Sequence, residues 1–270
     1  MTMLIDKDLY NNFFKKDNRD NFVNVDINSF ELFSELQETG KLKGTRHKTF
    51  AFSYYWLVSY LWKYSKYGYR EINAQDIKRI LGVNPTEKRL DYIIKKKGVL
   101  DSVGLTETTR DFPINTTMNE EGIKVTTLSS LDEGIAQDFS KKYGSRYVCK
   151  KPLLQYERDG KVGLMFSKDD TLSISVFEFT RCVLCPEIGF DGFYVYAYLK
   201  YRIKMLGNQG VNIYYAELER QIGYKHRRVR SLIQNLVLAG LIDVKTELKH
   251  EEGKIVQNNT YNTIYKGKQS

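Results

Sequence analysis

The sequence predicts an α+β fold in which one module, two short helices followed by a β-hairpin, occurs twice in tandem around a packed α/β connector. Three observations carry this prediction. Residues 72–102 and 213–244 repeat one another in their apolar and glycine positions. A stretch with hairpin character follows each repeat. The formal net charge of +9, from 42 basic and 33 acidic side chains, is concentrated on the repeats. Residues 41–100 carry 14 basic and 4 acidic side chains and residues 196–250 carry 10 and 4, whereas 1–40 and 101–195 each sum to −4. The expected segments are an acidic arm over 1–47, a first module over 48–128, a connector over 129–189 and a second module over 190–270. At 41% hydrophobic residues the chain has enough apolar material for real cores and too much for wholesale disorder.

The arm opens with acids inside its short apolar start, unlike the basic flank and apolar run of a signal peptide. Ile5, Leu9 and Phe13 stand at four-residue spacing, and Phe30, Phe33 and Leu36 line a second face. Both patterns predict short helices. The arm has three open placements: against the first module, in a dimer, or mobile.

Each module begins with an aromatic helix, over 49–66 and over 191–206, whose rings are expected in a core rather than as a base-stacking platform. The first short helices follow at 74–81 and 215–222. Each is stopped by a glycine able to take the left-handed conformation, Gly82 and Gly223. Ile77 aligns with Leu218 and Leu81 with Ile222. One residue is then inserted, after which Leu90 aligns with Leu232, Ile94 with Leu236, Gly98 with Gly240 and Asp101 with Asp243. The second helices are predicted over about 85–97 and 226–239. Asn84, Pro85 and Glu87 read as a cap, a first-turn proline and a capping-box partner. Leu90, Ile93 and Ile94 form one core stripe, and Val229, Leu232, Ile233 and Leu236 the other. Gly98 and Gly240 end these helices, and strands (VLDSV, LIDV) come next. The hairpins are expected over 112–128, turning at Asn119–Gly122, and over 241–265, turning near His250–Gly253. Glu-Glu-Gly lies in both turns. In the connector a short helix is predicted near 131–142, and strands over 147–156 and 162–167 flank the turn signal Asp159-Gly160.

Helix, helix-turn-helix, then hairpin is an order that resembles winged helix-turn-helix DNA-binding domains, here twice, over about 49–128 and 190–265. The resemblance implies that the second helix of each motif enters the major groove. With the core stripes inward, the C-terminal copy turns Arg227, Arg230, Ser231 and Gln234 outward, with Lys225, His226 and Arg228 near the helix start. Arg can read guanine and Gln adenine by paired hydrogen bonds, while neighbouring cations hold phosphates. Clustered cations at a helix start oppose the helix dipole, a cost that points to an anionic partner. The N-terminal copy turns out Lys88, Asp91, Tyr92 and Lys95, flanked by Thr86, Arg89 and Lys96. Asp91 is unwelcome beside phosphates, which makes this copy the weaker reader. The hairpin tips carry Glu120, Glu121, Glu251 and Glu252, beside Lys124, Lys249 and Lys254, and are weak DNA candidates.

Little in the sequence points to catalysis. Three cysteines exclude a disulfide framework. The single C-x-x-C, Cys182 to Cys185, lacks a partner pair for zinc and reads as one helical turn of buried cysteines. No phosphate-binding G-x-x-x-x-G-K-[ST] occurs. His47, His226 and His250 are isolated, so no metal-dependent nicking site assembles around the tyrosines, and no H-x-x-R box is present. The longest apolar run, 51–62, is too short to span a bilayer. The expectation is a cytoplasmic, non-catalytic protein without cofactor, metal or membrane partner. In architecture the chain is similar to plasmid and phage replication initiators of low-GC Gram-positive bacteria. That resemblance implies a sequence-specific double-stranded DNA-binding protein, with a homodimer and host replication proteins as further partners. A repressor on a mobile element and a winged-helix docking or assembly factor are the alternatives.

Overall fold

A computed structural model of the chain describes residues 7–14, 21–119, 122–143, 147–153, 157–158, 161–162, 171–207, 210–251 and 254–264. Helix and strand are mixed, and the strands form small sheets of two or three. The chain divides into two units. The first comprises 1–22, 30–50 and 174–270, the second 23–29 and 51–173. The expected arm and connector are therefore not separate segments: each is divided between the units.

The N-terminal part contains α1 (Lys7–Phe13), β1 (Phe22–Asp26), α2 (Ser29–Glu38) and α3 (Thr45–Lys63). A 3-10 turn (Lys66–Gly68) leads to α4 (Ala74–Ile80), α5 (Asp91–Ile94) and α6 (Val99–Ser102). Strands β2 (Thr106–Thr109), β3 (Pro113–Asn119) and β4 (Gly122–Thr127) precede α7 (Glu133–Lys142). Next come β5 (Cys149–Pro152), β6 (Glu157–Arg158), β7 (Lys161–Val162), β8 (Thr171–Ser175) and α8 (Val176–Val183). The C-terminal part holds α9 (Gly189–Met205), β9 (Val211–Asn212), α10 (Tyr215–Ile222), α11 (His226–Leu238), β10 (Ile242–Glu251) and β11 (Lys254–Thr263).

The first unit is organised by α9, which is buried from Phe190 to Leu199. A helix apolar on every side belongs inside a core. Phe179 of α8 meets Phe193 edge-on with ring centroids 4.9 Å apart, and Phe30 of α2 stacks on Tyr201 at 4.8 Å. The second arm helix thus packs in this unit, beside α9. Helix α8 was not anticipated, although Ser175 and Glu178 spell its capping box. Glu178 is buried and accepts from the Ser175 amide at 2.6 Å, from the Lys200 ammonium at 2.5 Å and from the Tyr196 hydroxyl. Cys182 and Cys185 are both buried, one in α8 and one just beyond it. Strands β10 and β11 pair antiparallel from Ile242↔Thr263 to Glu251↔Lys254. Strand β9 adds to the outer edge of β11, Val211 opposite Tyr261. The unit's C-terminal order is helix, strand, helix, turn, helix, hairpin. The hairpin's turn residues 252–253 lie outside the described residues.

In the second unit α3 is buried throughout from Ala51 to Lys63, and Trp56 stacks on Tyr60 with centroids 5.7 Å apart. The aromatic helices are core, as the sequence predicts. Among the described residues no helix is long and apolar enough to cross a membrane. Strands β3 and β4 form the expected hairpin, Thr116 opposite Val125, with 120–121 outside the described residues. Glu157–Arg158 pair with Lys161–Val162 around Asp159-Gly160. Of the predicted strand over 147–156, Cys149–Pro152 form β5, which pairs with β2, Cys149 opposite Thr109, while 154–156 lie outside the described residues. Residues 163–167 of its expected partner lie outside the described residues.

The helix predicted over 85–97 does not form as one piece. Side chains capture the backbone groups that it needs. Lys78 turns into the structure, and its ammonium donates to Glu87 O at 2.6 Å, to Asp91, and marginally to Pro85 O at 3.5 Å. Those carbonyls are the acceptors that a helix would offer to the amides of Asp91 and Arg89. The Arg89 amide goes instead to the Glu87 carboxylate at 3.0 Å, and the Asp91 amide to Lys88 O at 3.1 Å. Asn84 caps only a turn, accepting from the amide and hydroxyl of Thr86. Gly98 does not end a helix: α5 stops at Ile94 with Lys95 extended, Lys97 takes the left-handed conformation with φ 58°, and Gly98 is the N-cap of α6. The VLDSV segment is likewise not a strand. It forms α6, because the Asp101 carboxylate gathers the Lys97 amide at 3.0 Å, Thr106 Oγ1 at 2.7 Å and Lys150 Nζ at 2.6 Å. Burial acts to raise the Asp101 pKa, but the hydrogen bonds from Lys150 and Thr106 hold it below its ordinary value.

Two buried lysines make stability depend on alkaline pH. Desolvation lowers Lys48 from 10.5 to about 8 and Lys63 from 10.5 to about 7. Between those values and 10.5 the unfolded chain holds protons that the folded chain has released, so stability rises with pH across this window. Burial pushes the hydroxyls of Tyr54, Tyr55 and Tyr194 above their usual value, so stability falls again once the unfolded tyrosines ionise above 10.0. Burial also raises the thiols of Cys149 and Cys182, so the urea midpoint should climb from about pH 7 and turn over at about pH 9, where the unfolded thiols begin to ionise. Equal midpoints at the two ends of that climb would exclude both lysines as its source.

Candidate nucleic-acid interface

The C-terminal candidate residues stand on α11. The helix starts after the turn at Gly223, whose φ of 91° is the left-handed value that favours glycine. Lys225 is the N-cap, and its carbonyl accepts from the Arg228 and Val229 amides at 2.9 and 3.2 Å. Val229, Leu232, Ile233 and Leu236 are buried, as the predicted stripe requires. On the other side Lys225, Arg227, Arg230 and Gln234 are exposed, with Ser231 half-buried at their margin. Among the described residues, Arg227, Arg230 and Gln234 have no side-chain partner. Three and four residues apart, they form one row along the first two-thirds of the helix. The row turns apolar beyond it, at Val237 and Leu238.

The two other candidates at the helix start, Arg228 and His226, are tethered within the unit. Arg228 reaches Asp191 Oδ2 at 3.0 Å. Asp191, in the first turn of α9 and only 7% exposed, also accepts from Thr49 Oγ1 at 2.7 Å and from Tyr224 OH at 2.5 Å. Burial, and then the Asp191 charge, push the Tyr224 hydroxyl well above its ordinary pKa. Arg228 thus fixes the start of α11 to α9, a role that the sequence reading, which grouped it with the phosphate-holding cations, did not separate. His226 Nδ1 lies 2.7 Å from Glu219 Oε1 and its ring meets Tyr215 edge-on, which ties α11 to α10. Since a carboxylate only accepts, Nδ1 carries the proton in this bond.

The N-terminal candidates are not brought onto one face. Thr86 is engaged by Asn84, and Arg89 is clamped by Glu87 through Nε at 2.9 Å and NH2 at 2.7 Å. Lys88 is exposed in the turn between them. Tyr92 is half-buried in α5, while Lys95 and Lys96 are exposed after that helix has ended.

One part of the C-terminal surface was missed. Thr45 Oγ1 donates to Gly223 O at 2.9 Å across 178 residues, and Lys48 Nζ donates to Gln221 O at 3.3 Å. The first turn of α3 therefore packs on the α10–α11 turn. Charge summed along the chain assigned these residues to the N-terminal basic block, and no local signal could have moved them. Comparison with family models, with curated proteins and with solved structures returns no match, so the surface is read from its own geometry.

Proposed function

We propose that the chain is a non-catalytic, sequence-specific double-stranded DNA-binding protein that reads the major groove with α11 and serves the initiation of replication on a plasmid or phage. The carrying observation is the exposed row Arg227, Arg230 and Gln234, set on a helix whose opposite side is core. The surrounding order of elements supports a winged-helix reading of the first unit, with β10 and β11 as the wing and β9 completing its sheet. The Arg guanidinium groups, as bidentate donors, suit guanine edges, and the Gln amide, with one donor and one acceptor, suits adenine. The second unit keeps a hairpin and the first short helix but lacks a continuous reading helix, so sequence recognition is assigned to the first unit alone.

Affinity for duplex DNA should fall steeply with salt, because bound cations release condensed counterions. Changing Arg227 and Arg230 together to alanine should cost the cognate site about 100-fold or more, since each bidentate base contact is worth about 1–3 kcal/mol. A salt-independent affinity, or full binding by the double variant, would remove the DNA reading. Footprinting on the DNA around the protein's own gene tests the replication role. Tandem direct repeats beside an AT-rich tract support initiation, whereas a single inverted repeat over a promoter would make the protein a repressor.

A further inference from the structure

The segment that covers the α10–α11 turn is itself strongly basic. Between Thr39 and Phe50 the chain carries Lys41, Lys43, Arg46 and Lys48 and no acid. Leu42 is buried, and its amide bonds Leu36 O at 2.7 Å, so the loop is pinned at its centre. Lys41 and Lys43 on either side of Leu42 are exposed, as is Arg46. The Arg46 guanidinium lies over the Phe190 ring, 5.1 Å from its centroid, which holds it near α9 without spending its charge on a carboxylate. Contact with the turn is close: a Cβ on Gly223 would meet Thr45 Oγ1 at 2.6 Å. Among nearby acids, Glu217 pairs with Arg202 and Glu219 with His226, while Glu38 at the end of α2 is exposed.

We propose that Lys41, Lys43 and Arg46 form a phosphate clamp for duplex DNA, gripping the sugar–phosphate strand that borders the groove entered by α11. This rests on the DNA reading of α11. When a second helix lies in the major groove, the first helix of the pair crosses the backbone, so cations beside the turn face phosphates rather than base edges. Contacts of that kind set position and affinity but carry no sequence information. The DNA surface is then assembled from residues 41–46 and 225–234, two stretches at opposite ends of the chain.

The test is a salt titration of the full-length chain against its footprinted site and against a mixed-sequence duplex. In the variant K41A/K43A/R46A the slope of log affinity against log salt should become shallower by about 2–3 units, since each phosphate contact contributes about 0.9. Affinity should fall equally on both duplexes, so their ratio stays at the wild-type value, whereas R227A/R230A collapses that ratio. Arg46→Lys, which keeps the charge, should restore the lost share of the slope. K41A/K43A leaves the Phe190 contact intact and should still flatten the slope by about 2 units if the triple variant fails to fold. A wild-type slope in K41A/K43A and in the folded triple variant, with R227A/R230A impaired, overturns the clamp and leaves the α11 reading standing. Salt-independent binding by the wild-type chain overturns both.

Discussion

Replacing Asp191 by alanine will lower the melting temperature by about 6–12 °C, the consequence of a loss near 3 kcal/mol in a unit of this size. Asp191 is buried and accepts from Thr49, Tyr224 and Arg228. Arg228 keeps 42% of its side chain exposed and can swing to water, so its share of the loss is small. The greater part comes from the hydroxyls. Thr49 is fully buried and Tyr224 half-buried, and without the carboxylate they fall back on the longer bonds of Thr49 Oγ1 to Arg46 O at 3.2 Å and to Tyr224 OH at 3.4 Å; poorly satisfied buried hydroxyls cost about 1–3 kcal/mol. Asp191→Asn keeps an acceptor oxygen for both hydroxyls and gives up only the charge, so it should cost about half as much. Thermal melts of the two variants decide this. Alanine and asparagine variants that melt together, within about 2 °C of the wild type, would show that the network carries no stability. An intact fold with a loosened α11 start would appear differently, as faster hydrogen exchange at the amides of Arg228 and Val229.

Much of the first unit was legible because its signals are local. Val229, Leu232, Ile233 and Leu236 recur with helical period, and a period survives whatever the rest of the chain does. Gly223 announces a left-handed stop for the same reason. The Ser175–Glu178 box that opens α8 is equally local, although the sequence reading takes only the turn at Cys182–Cys185 as helical. Two features were not legible. The contact of Thr45 and Lys48 with the α10–α11 turn joins residues more than 170 positions apart, and charge summed along the chain cannot report it. Lys78 was the other. It aligns with Glu219, which stays at the surface and bonds His226, whereas Lys78 points inward. A lysine directed into a core contradicts the usual partition of charged residues, and its bonds to Pro85 O and Glu87 O, with the Arg89 amide held by Glu87, leave separate turns where the repeat implied one helix.

That inference yields the second large effect. Lys78→Met should destabilise the second unit by about 2–4 kcal/mol, because it keeps the apolar stem and deletes the donor on which Glu87 O and Asp91 depend. Lys78 is 4% exposed, so its loss leaves the Glu87 carbonyl short of a buried donor. The turns over 84–90 should open, freeing the backbone at the already exposed Lys88 and Arg89 for tryptic cleavage well before the rest of the chain is cut. Asp91→Asn should cost far less, since its side chain is 44% exposed and the salt bridge is only part of what Lys78 supplies. Urea midpoints and the order of tryptic cleavage measure both. If the methionine variant instead gains helical circular dichroism and keeps its midpoint, then residues 85–97 are a helix former held open by one ammonium, and the broken segment is a property of Lys78 rather than of its own sequence. The bonding argues for the opposite outcome. Glu87 would still hold the Arg89 amide, which a helix would give to Pro85 O, so that step of the ladder stays diverted when the lysine is gone; the Asn84 bond to the Thr86 amide is a cap that either form can keep.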